Sequence, residues 1–404
     1  MINIAILGFG NIGGGTADVL TENKAQIEKY VGAPVNIKYI LDLREFPNSP
    51  FGRLVTHDFN NILNDPDVKI VAEMMGGSHP AYDYTRACLE AGKNVVTSNK
   101  EVVAKFGAEL LDIAAANGVR YMFEASVGGG IPIIRPMIND LAANGIISVS
   151  GILNGTTNYI LTRMENEGVG YEPVLRDAQA LGYAEANPAA DVEGYDAARK
   201  IVILAAIAFG KLANSDDIHR EGITDISGDD IKTAAAHGCA LKLIARTELQ
   251  NGRLLAMVTP RFVERISPLY AVRDVNNGIL VEGDMVGKAM FFGPGAGRLP
   301  TASAVVADIA DIAAHINTPP RHLHWETAAS AELADFSEYS CRSCFIFKDA
   351  ADAAEKIESV FGKTARLVRE NGRISIISET MTEAEADKKA AECSLNLIKR
   401  FRVL

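Results

Sequence analysis

Five cysteines in 404 residues are too few and too scattered for a disulfide framework, and their odd number fits reduced thiols. Cys341 and Cys344 make a C-x-x-C, but with no second pair and no nearby histidines it reads as structural or incidental rather than as a zinc site. No uninterrupted apolar run approaches the roughly 20 residues that span a bilayer. The opening MINIAILGFGNIGGG is apolar but lacks a basic leader and breaks into glycine after Leu7, so it is no signal peptide, and a cytoplasmic location is expected. Basic charge is also short: 40 Lys and Arg stand against 51 Asp and Glu, a net charge of −11. That balance excludes a nucleic-acid or anionic-membrane surface and mainly signals solubility. The single tryptophan, Trp325, and the neighbours Met74 and Met75 read as packing.

What is present is apolar residue in quantity, 48% of the chain, enough for two or three domains at ~100–200 residues each. Residues 1–130 alternate short apolar runs with helical patterns, the signature of βαβ units feeding a parallel sheet. Strands are expected at Ile2–Leu7, Val35–Leu41, Lys69–Met74, Asn94–Thr97 and Arg120–Phe123, with helices near Gly14–Tyr30, Pro80–Ala91 and Glu101–Asn117. Residues 131–320 change to an α+β texture, with helices at Asp196–Phe209 and Ser227–Ile244 and strands at Leu254–Pro260 and Gly278–Met285. This domain should hold the substrate chemistry. Residues 321–404 then read strand Arg342–Phe347, helix Ala350–Phe361, strands Ala365–Arg369 and Arg373–Ser378, helix Thr382–Cys393, strand Leu397–Val403. That β-α-β-β-α-β order is ferredoxin-like, and Asn371-Gly372 marks its central hairpin.

Gly8-Phe9-Gly10-Asn11-Ile12-Gly13 matches G-x-G-x-x-G between one strand and one helix, the setting of a Rossmann-like, doubly wound α/β domain. Gly8 allows the tight turn, Gly10 lets backbone approach a pyrophosphate, and Gly13 lets helix and strand pack closely, while the helix N-terminus supplies amide donors. Asp42, ending the second strand, can accept from the ribose 2′-hydroxyl of NAD; Arg44 can pair with the 2′-phosphate of NADP. The two signals conflict, and the acid tips the reading towards NAD.

On the helix from Asp196, Lys200 follows one turn later on the same face, and that stripe continues into Ile203 and Ile207. The pair therefore points to a protected interior, where a lysine's pKa can fall and the group can serve as acid or base. Taken alone, most such pairs are solvated ion pairs worth ~0.2–0.5 kcal/mol. Context comes from EASVGGGIPIIRPM at 124–137, GILNGTTNYILTRM at 151–164, LGYAEANPAADVEGYDAARK at 181–200 and GPGAGRLPTASAVVADI at 293–309. With GFGNIGG near the start and TSNKEVVA at 97–104, these six blocks resemble the homoserine dehydrogenase family over roughly the first 320 residues.

The resemblance implies NAD(P)-dependent interconversion of L-homoserine and L-aspartate 4-semialdehyde, in threonine and methionine biosynthesis. It implies Lys200 as general acid/base, Asp196 as its orienting partner, Glu185 as the carboxylate for the substrate ammonium, and Thr156 and Tyr183 as substrate contacts. Lys100 resembles the lysine between nicotinamide and substrate, and which of Lys100 and Lys200 moves the proton stays open. The expected cofactor contacts are completed by Gly76, Ser98, Lys100 and Gly295. Similarity also implies a sodium site made of the backbone carbonyls of Glu124, Val127, Gly129 and Ile131; the residues themselves show only a glycine-rich turn. A homodimer or homotetramer is expected, through the middle domain. No aspartate kinase segment precedes Met1, so a monofunctional form is expected.

Two alternatives bear weighing. Aspartate-semialdehyde dehydrogenase chemistry would need a cysteine nucleophile, and Cys88 within a helix and Cys239 after a glycine in another fit that poorly. A non-enzymatic dinucleotide sensor would have no need of Lys100, Glu185, Asp196 and Lys200 together. Many family members carry an ACT regulatory domain, and the tail is ACT-like, yet the aspartate-x-proline-glycine entry to its first helix is missing. Its place is taken by Phe347-Lys348-Asp349-Ala350-Ala351-Asp352, expected to extend the helix and close off amide donors. The tail should thus serve association or stability, with weak or absent inhibition by threonine.

Overall fold

The computed structural model describes residues 1–362 and 366–404. The chain divides into two compact units, each assembled from separated segments: 1–144, 202–215 and 293–328 in one, 145–201, 216–292 and 329–404 in the other.

The first unit is built on β1 (Ile2–Leu7), β2 (Val35–Leu41), β3 (Val55–Thr56), β4 (Val68–Glu73), β5 (Asn94–Thr97) and β6 (Tyr121–Met122). Among the described residues they form one parallel sheet in the order β3-β2-β1-β4-β5-β6, so the chain reverses direction of winding between β1 and β4 and opens a crevice there. β1 and β4 are apolar almost throughout because helices cover both faces. The Gly14–Tyr30 helical pattern resolves into two helices, Asn11–Glu22 and Lys24–Val31, broken at Asn23. The two-residue β3 has no sequence signal of its own.

The second unit holds a mixed sheet in the order 287–294, 276–283, 146–152, 239–250, 253–264, 397–403, 343–348, 373–377, 367–370. The helix expected over Ser227–Ile244 stops at Ala236, and Cys239–Gln250 is a strand. Gly238 at φ 75° ends the helix, and the apolar run CALKLI that follows suits a buried strand as well as a buried helix, which periodicity alone does not separate. Cys239 accordingly opens a strand.

The tail keeps the order read from sequence, and its strands pair as 397–403, 343–348, 373–377, 367–370, a ferredoxin-like sheet. Asn371 and Gly372, at φ 52° and 73°, make the tight hairpin, since both central positions of that turn need positive φ. The expected strand start at Ala365 lies outside the described residues. The first helix starts at Ala353 and not at Ala350; Asp349 donates its N–H to the Gly372 carbonyl at 2.8 Å, so the alanines remain a turn instead of extending the helix. The last strand also pairs in parallel with Arg253–Glu264, so the tail continues the unit's main sheet.

Candidate active site

In the first unit the crevice is lined by Gly8, Gly10, Asp42, Arg44, Met74, Met75 and Gly76 around a volume of about 450 Å³. Gly8 has φ 87°, and a Cβ there would lie 3.0 Å from the Met74 carbonyl. A Cβ on Gly13 would sit 2.0 Å from the Gly8 carbonyl oxygen, whereas at Gly10 it would meet nothing within 4 Å. Gly13 is therefore needed for packing, and Gly10 leaves the approach open. Gly10 caps the helix Asn11–Glu22 with no side chain, so the amides of Asn11, Ile12 and Gly13 face the loop as anion donors. Met74 and Met75, read as packing, line the crevice.

Asp42 and Arg44, set in competition by their chemistry, form one ion pair. Asp42 Oδ2 also accepts the Phe9 N–H at 2.8 Å, which ties the end of β2 to the glycine loop. The Arg44 guanidinium and these N–H donors hold the Asp42 carboxyl down at about 2, against its partial burial. His57, which sequence reasoning passed over, lines the same crevice. Its Nδ1 lies 2.7 Å from the Asp42 carbonyl and its Nε2 2.7 Å from Glu45, and Glu45 pushes its pKa up.

Ser98 and Lys100 flank Asn99, whose side chain caps the helix Lys100–Ala116 and also donates to the Gly77 carbonyl at 2.8 Å. Beneath this turn Glu73 is fully buried at the end of β4. It accepts from Thr97 Oγ1 at 2.6 Å and from the Met75 N–H at 2.7 Å. Burial lifts its carboxyl to about 7 despite these donors.

Gly295 lies against the 124–131 turn: a Cβ on Gly129 would be 2.5 Å from the Gly295 carbonyl. Gly128 and Gly129, at φ 76° and 56°, fold that turn. The Glu124 carboxylate is buried and accepts the N–H groups of Ile133, Ile134 and Arg135 at 2.6–2.8 Å, leaving only its carbonyl to serve a cation. No group of three metal-ligating side chains occurs among the described residues. Arg298, another residue missed from sequence, lies along the first helix: a Cβ on Gly15 would sit 2.9 Å from its Cγ and one on Gly14 3.1 Å from its guanidinium, and it pairs with Asp18.

In the second unit the first turns of the helix that starts at Tyr195 bring Asp196 and Lys200 into a buried pair, 4% and 8% exposed. Lys200 Nζ donates to Asp196 Oδ2 and to the Leu153 carbonyl, both at 2.7 Å. Asn154 Nδ2 donates to Asp196 at 2.9 Å and to Asp191 at 2.7 Å, while its Oδ1 caps the helix Gly155–Glu167. The missed Asn154 thus joins three elements, and its place as an N-cap in the stretch Leu-Asn-Gly-Thr-Thr was its only sequence signal. Thr156 Oγ1 donates to the Tyr183 carbonyl at 2.6 Å, and Glu185 follows with its side chain exposed. The protected interior expected for Lys200 is therefore present, and Thr156, Tyr183 and Glu185 are gathered on one loop and helix start.

The thiols offer no nucleophile: burial pushes Cys88 up to about 12 and Cys239 to about 11, far from thiolate formation at neutral pH. Trp325 packs as expected, buried edge-on to Phe123. No helix among the described residues is long and apolar enough to cross a membrane.

Residues 132–310 match the family model for homoserine dehydrogenase and residues 8–124 that for the homoserine dehydrogenase NAD binding domain. A homoserine dehydrogenase of Synechocystis sp. is 43% identical over 77% of this chain and 73% of its own length. That of Corynebacterium glutamicum is 38% identical over 96% and 87% respectively. The crystal structure of a homoserine dehydrogenase from Thiobacillus denitrificans superposes with a TM-score of 0.89 at 32% identity, covering 100% of this chain and 98% of the other. A hyperthermophilic archaeal homoserine dehydrogenase mutant in complex with NADPH gives 0.67 at 26% identity, over 79% and 98%.

Proposed function

We propose a division of labour among these residues from the premise that this chain belongs to the homoserine dehydrogenase family. The protein is an NAD(P)-dependent oxidoreductase that interconverts L-homoserine and L-aspartate 4-semialdehyde. The bound dinucleotide supplies hydride chemistry at the carbon bearing the substrate hydroxyl. Lys200 handles the proton. As the amine it takes the hydroxyl proton in the oxidative direction, and as the ammonium it returns that proton to the developing alkoxide. Asp196 and the Leu153 carbonyl fix its rotamer, and Asn154 fixes Asp196 in turn. The observation that carries this assignment is the burial of the pair with the Asn154 carboxamide behind it, which a solvated i,i+4 pair would not have.

Glu185 offers an anion to the substrate ammonium, and Thr156 and Tyr183 contact the rest of the amino acid. Lys100, at the first position of its helix, serves the nicotinamide side. The amides of Asn11, Ile12 and Gly13 hold the pyrophosphate, joined by Gly8, Gly10, Gly76, Ser98 and Gly295. Both dinucleotides serve, with Asp42 at the ribose end favouring NAD; the archaeal relative solved with NADPH supports acceptance of the phosphorylated form. The carbonyls of Glu124, Val127, Gly129 and Ile131 hold a sodium ion, supported by the two consecutive positive-φ glycines that turn this segment back on itself.

A cytoplasmic homodimer or homotetramer fits a biosynthetic dehydrogenase, and the outer strand Gly287–Pro294 with exposed Phe292 supports association through the second unit. The decisive experiment follows NAD or NADP reduction by L-homoserine at alkaline pH in wild type and Lys200→Ala. Turnover in wild type and its near loss in the variant are expected; no turnover with either cofactor, in folded protein, would defeat the assignment.

A further inference from the structure

In the first unit the loop that follows β4 carries Gly76 and Gly77, and the turn that follows β5 carries Ser98, Asn99 and Lys100. The two glycines bring no side chain to hold their stretch in place. A Cβ on Gly76 would meet nothing within 4 Å, and one on Gly77 only the His79 carbonyl at 4.0 Å. Packing therefore does not fix this loop, and glycine leaves its backbone unusually free, with Gly77 at φ 74°. What fixes it has to reach over from another segment.

Asn99 does so. It is 8% exposed, and both ends of its carboxamide are engaged. Its Oδ1 accepts the N–H groups of Glu101 and Val102, both at 3.2 Å, and so caps the helix Lys100–Ala116. Its Nδ2 donates to the Gly77 carbonyl at 2.8 Å and to the Met75 carbonyl at 3.3 Å. Its own N–H donates to Thr97 Oγ1 at 2.9 Å. Thr97 in turn donates to buried Glu73 at 2.6 Å, and Glu73 accepts the Met75 N–H at 2.7 Å. The bonds thus run from Asn99 through Thr97 and Glu73 to Met75 and back to Asn99, a closed ring that joins the two loops. Ser78 Oγ adds one more link, to Glu101 at 2.6 Å. A helix cap alone does not call for this residue: serine and aspartate cap about as well as asparagine, but neither keeps a donor for a neighbouring loop. Asn154 makes the same double use of its carboxamide, capping one helix and donating to Asp196.

We propose that Asn99 is a positioning residue for the reaction. By tying residues 75–77 to the helix that starts at Lys100, it sets Gly76 relative to Ser98 and Lys100 and holds the part of the crevice that receives the nicotinamide half of the cofactor. This role rests on the assignment of those three residues to the dinucleotide. Asn99 touches neither cofactor nor substrate itself; it acts through the loop it holds.

The test is Asn99→Ser in the full chain, because serine keeps the helix cap and removes only the donor to the 75–77 loop. The dissociation constant of NADPH, read by its fluorescence, should rise about three- to ten-fold, the worth of one hydrogen bond. The value for ADP, which carries the adenosine and pyrophosphate but no nicotinamide, should change less than about two-fold. Because hydride transfer depends on close alignment, kcat should fall about ten-fold or more, while KM for homoserine stays within about two-fold. Thr97→Val removes the hydroxyl that seats Asn99 and should give the same split; combined with Asn99→Ser it should add less than about two-fold, since both act on one ring. If Asn99→Ser misfolds, Thr97→Val still decides. Unchanged NADPH binding and kcat in both variants would overturn the role. Equal weakening of NADPH and ADP, or a drop in urea stability with no such split, would overturn it as well, by showing that Asn99 only supports the fold. Wild type that neither binds NADPH nor turns over homoserine would overturn the cofactor assignment and this role with it, whereas an active wild type with indifferent variants overturns this role alone.

Discussion

Arg44 donates through Nε and Nη2 to the two carboxylate oxygens of Asp42, at 3.0 and 3.1 Å. Two residues that argue for different cofactors are thereby one rigid unit on the wall of the crevice. Because Asp42 is held at about 2, the pair stays ionised at every pH where the enzyme works, so cofactor preference should not drift with titration of Asp42. Asp42→Ala removes the 2′-hydroxyl acceptor and releases the Arg44 guanidinium. The ratio of kcat/KM for NADP to that for NAD should rise about ten-fold, the worth of one charge-assisted hydrogen bond. An unchanged ratio would mean that neither residue reads the ribose.

Lys200→Ala should lower kcat by ~10²-fold or more while leaving the dissociation constant of NADH nearly unchanged, because positioned acid–base catalysis is lost and no cofactor contact is. Asn154→Ala should lower kcat less, by roughly ten-fold, since it releases Asp196 without deleting the proton-transfer group. If Lys100→Ala abolishes turnover while Lys200→Ala raises only KM for homoserine, the two lysines have exchanged roles.

Glu73 gives a pH dependence with a definite sign. Its carboxyl is raised by burial from 4.5 to about 7, so the folded state binds a proton that the unfolded chain has already released between those values. The stabilisation is complete below 4.5 and is lost as pH rises towards 7, a change of roughly 3 kcal/mol. Glu73→Gln mimics the protonated form and should flatten this slope. Urea unfolding of both proteins at pH 5 and pH 8 measures it: a wild-type slope no steeper than the variant's would show that Glu73 is ionised in the fold.

Much of this was legible in the sequence because it rests on local rules. The glycine spacing of the dinucleotide loop, the alternation of β1 to β6 with helices, and the Asn371-Gly372 hairpin each follow from backbone requirements that only particular residues meet. The i,i+4 stripe through Asp196, Lys200 and Ile203 likewise foretold a buried pair. What stayed hidden depends on contacts between distant segments. Asn154 reads as an ordinary helix cap until Asp191 and Asp196 are folded onto it, and Arg298 reads as a surface residue until Gly14 and Gly15 make room for it. The Cys239–Gln250 strand was misread because an apolar run after a helix has no period of its own until a partner strand covers it. Glu73 looked like one more strand residue, since nothing local reveals that its end of β4 is closed over by Thr97 and Asn99.

The last expectation concerns the tail. Arg402, on the final strand, is 5% exposed and donates to Glu383 at 2.8 and 2.9 Å and to Glu221 at 2.9 and 3.0 Å. Lys399 and Arg373 both pair with buried Asp230, at 2.6 and 2.8 Å. These ion pairs and the parallel pairing with Arg253–Glu264 make the tail part of the second unit's sheet. An effector that had to move the tail would have to break them. At the junction where an amino-acid sensor would offer amides, the Asp349 N–H is already spent on Gly372. Threonine at about 10 mM should therefore change activity less than about two-fold, a coupling below roughly 0.4 kcal/mol. Arg402→Ala should instead destabilise the protein by about 1–3 kcal/mol, because Glu383 and Glu221 lose the cation they share although Glu383 keeps Arg400 and Glu221 keeps His219, each at 2.7 Å. Activity against rising threonine and urea unfolding of Arg402→Ala test the two halves separately. Strong threonine inhibition in wild type would show that the tail senses amino acids by a route other than this loop, and unchanged stability in Arg402→Ala would show that its network is ornamental to the fold.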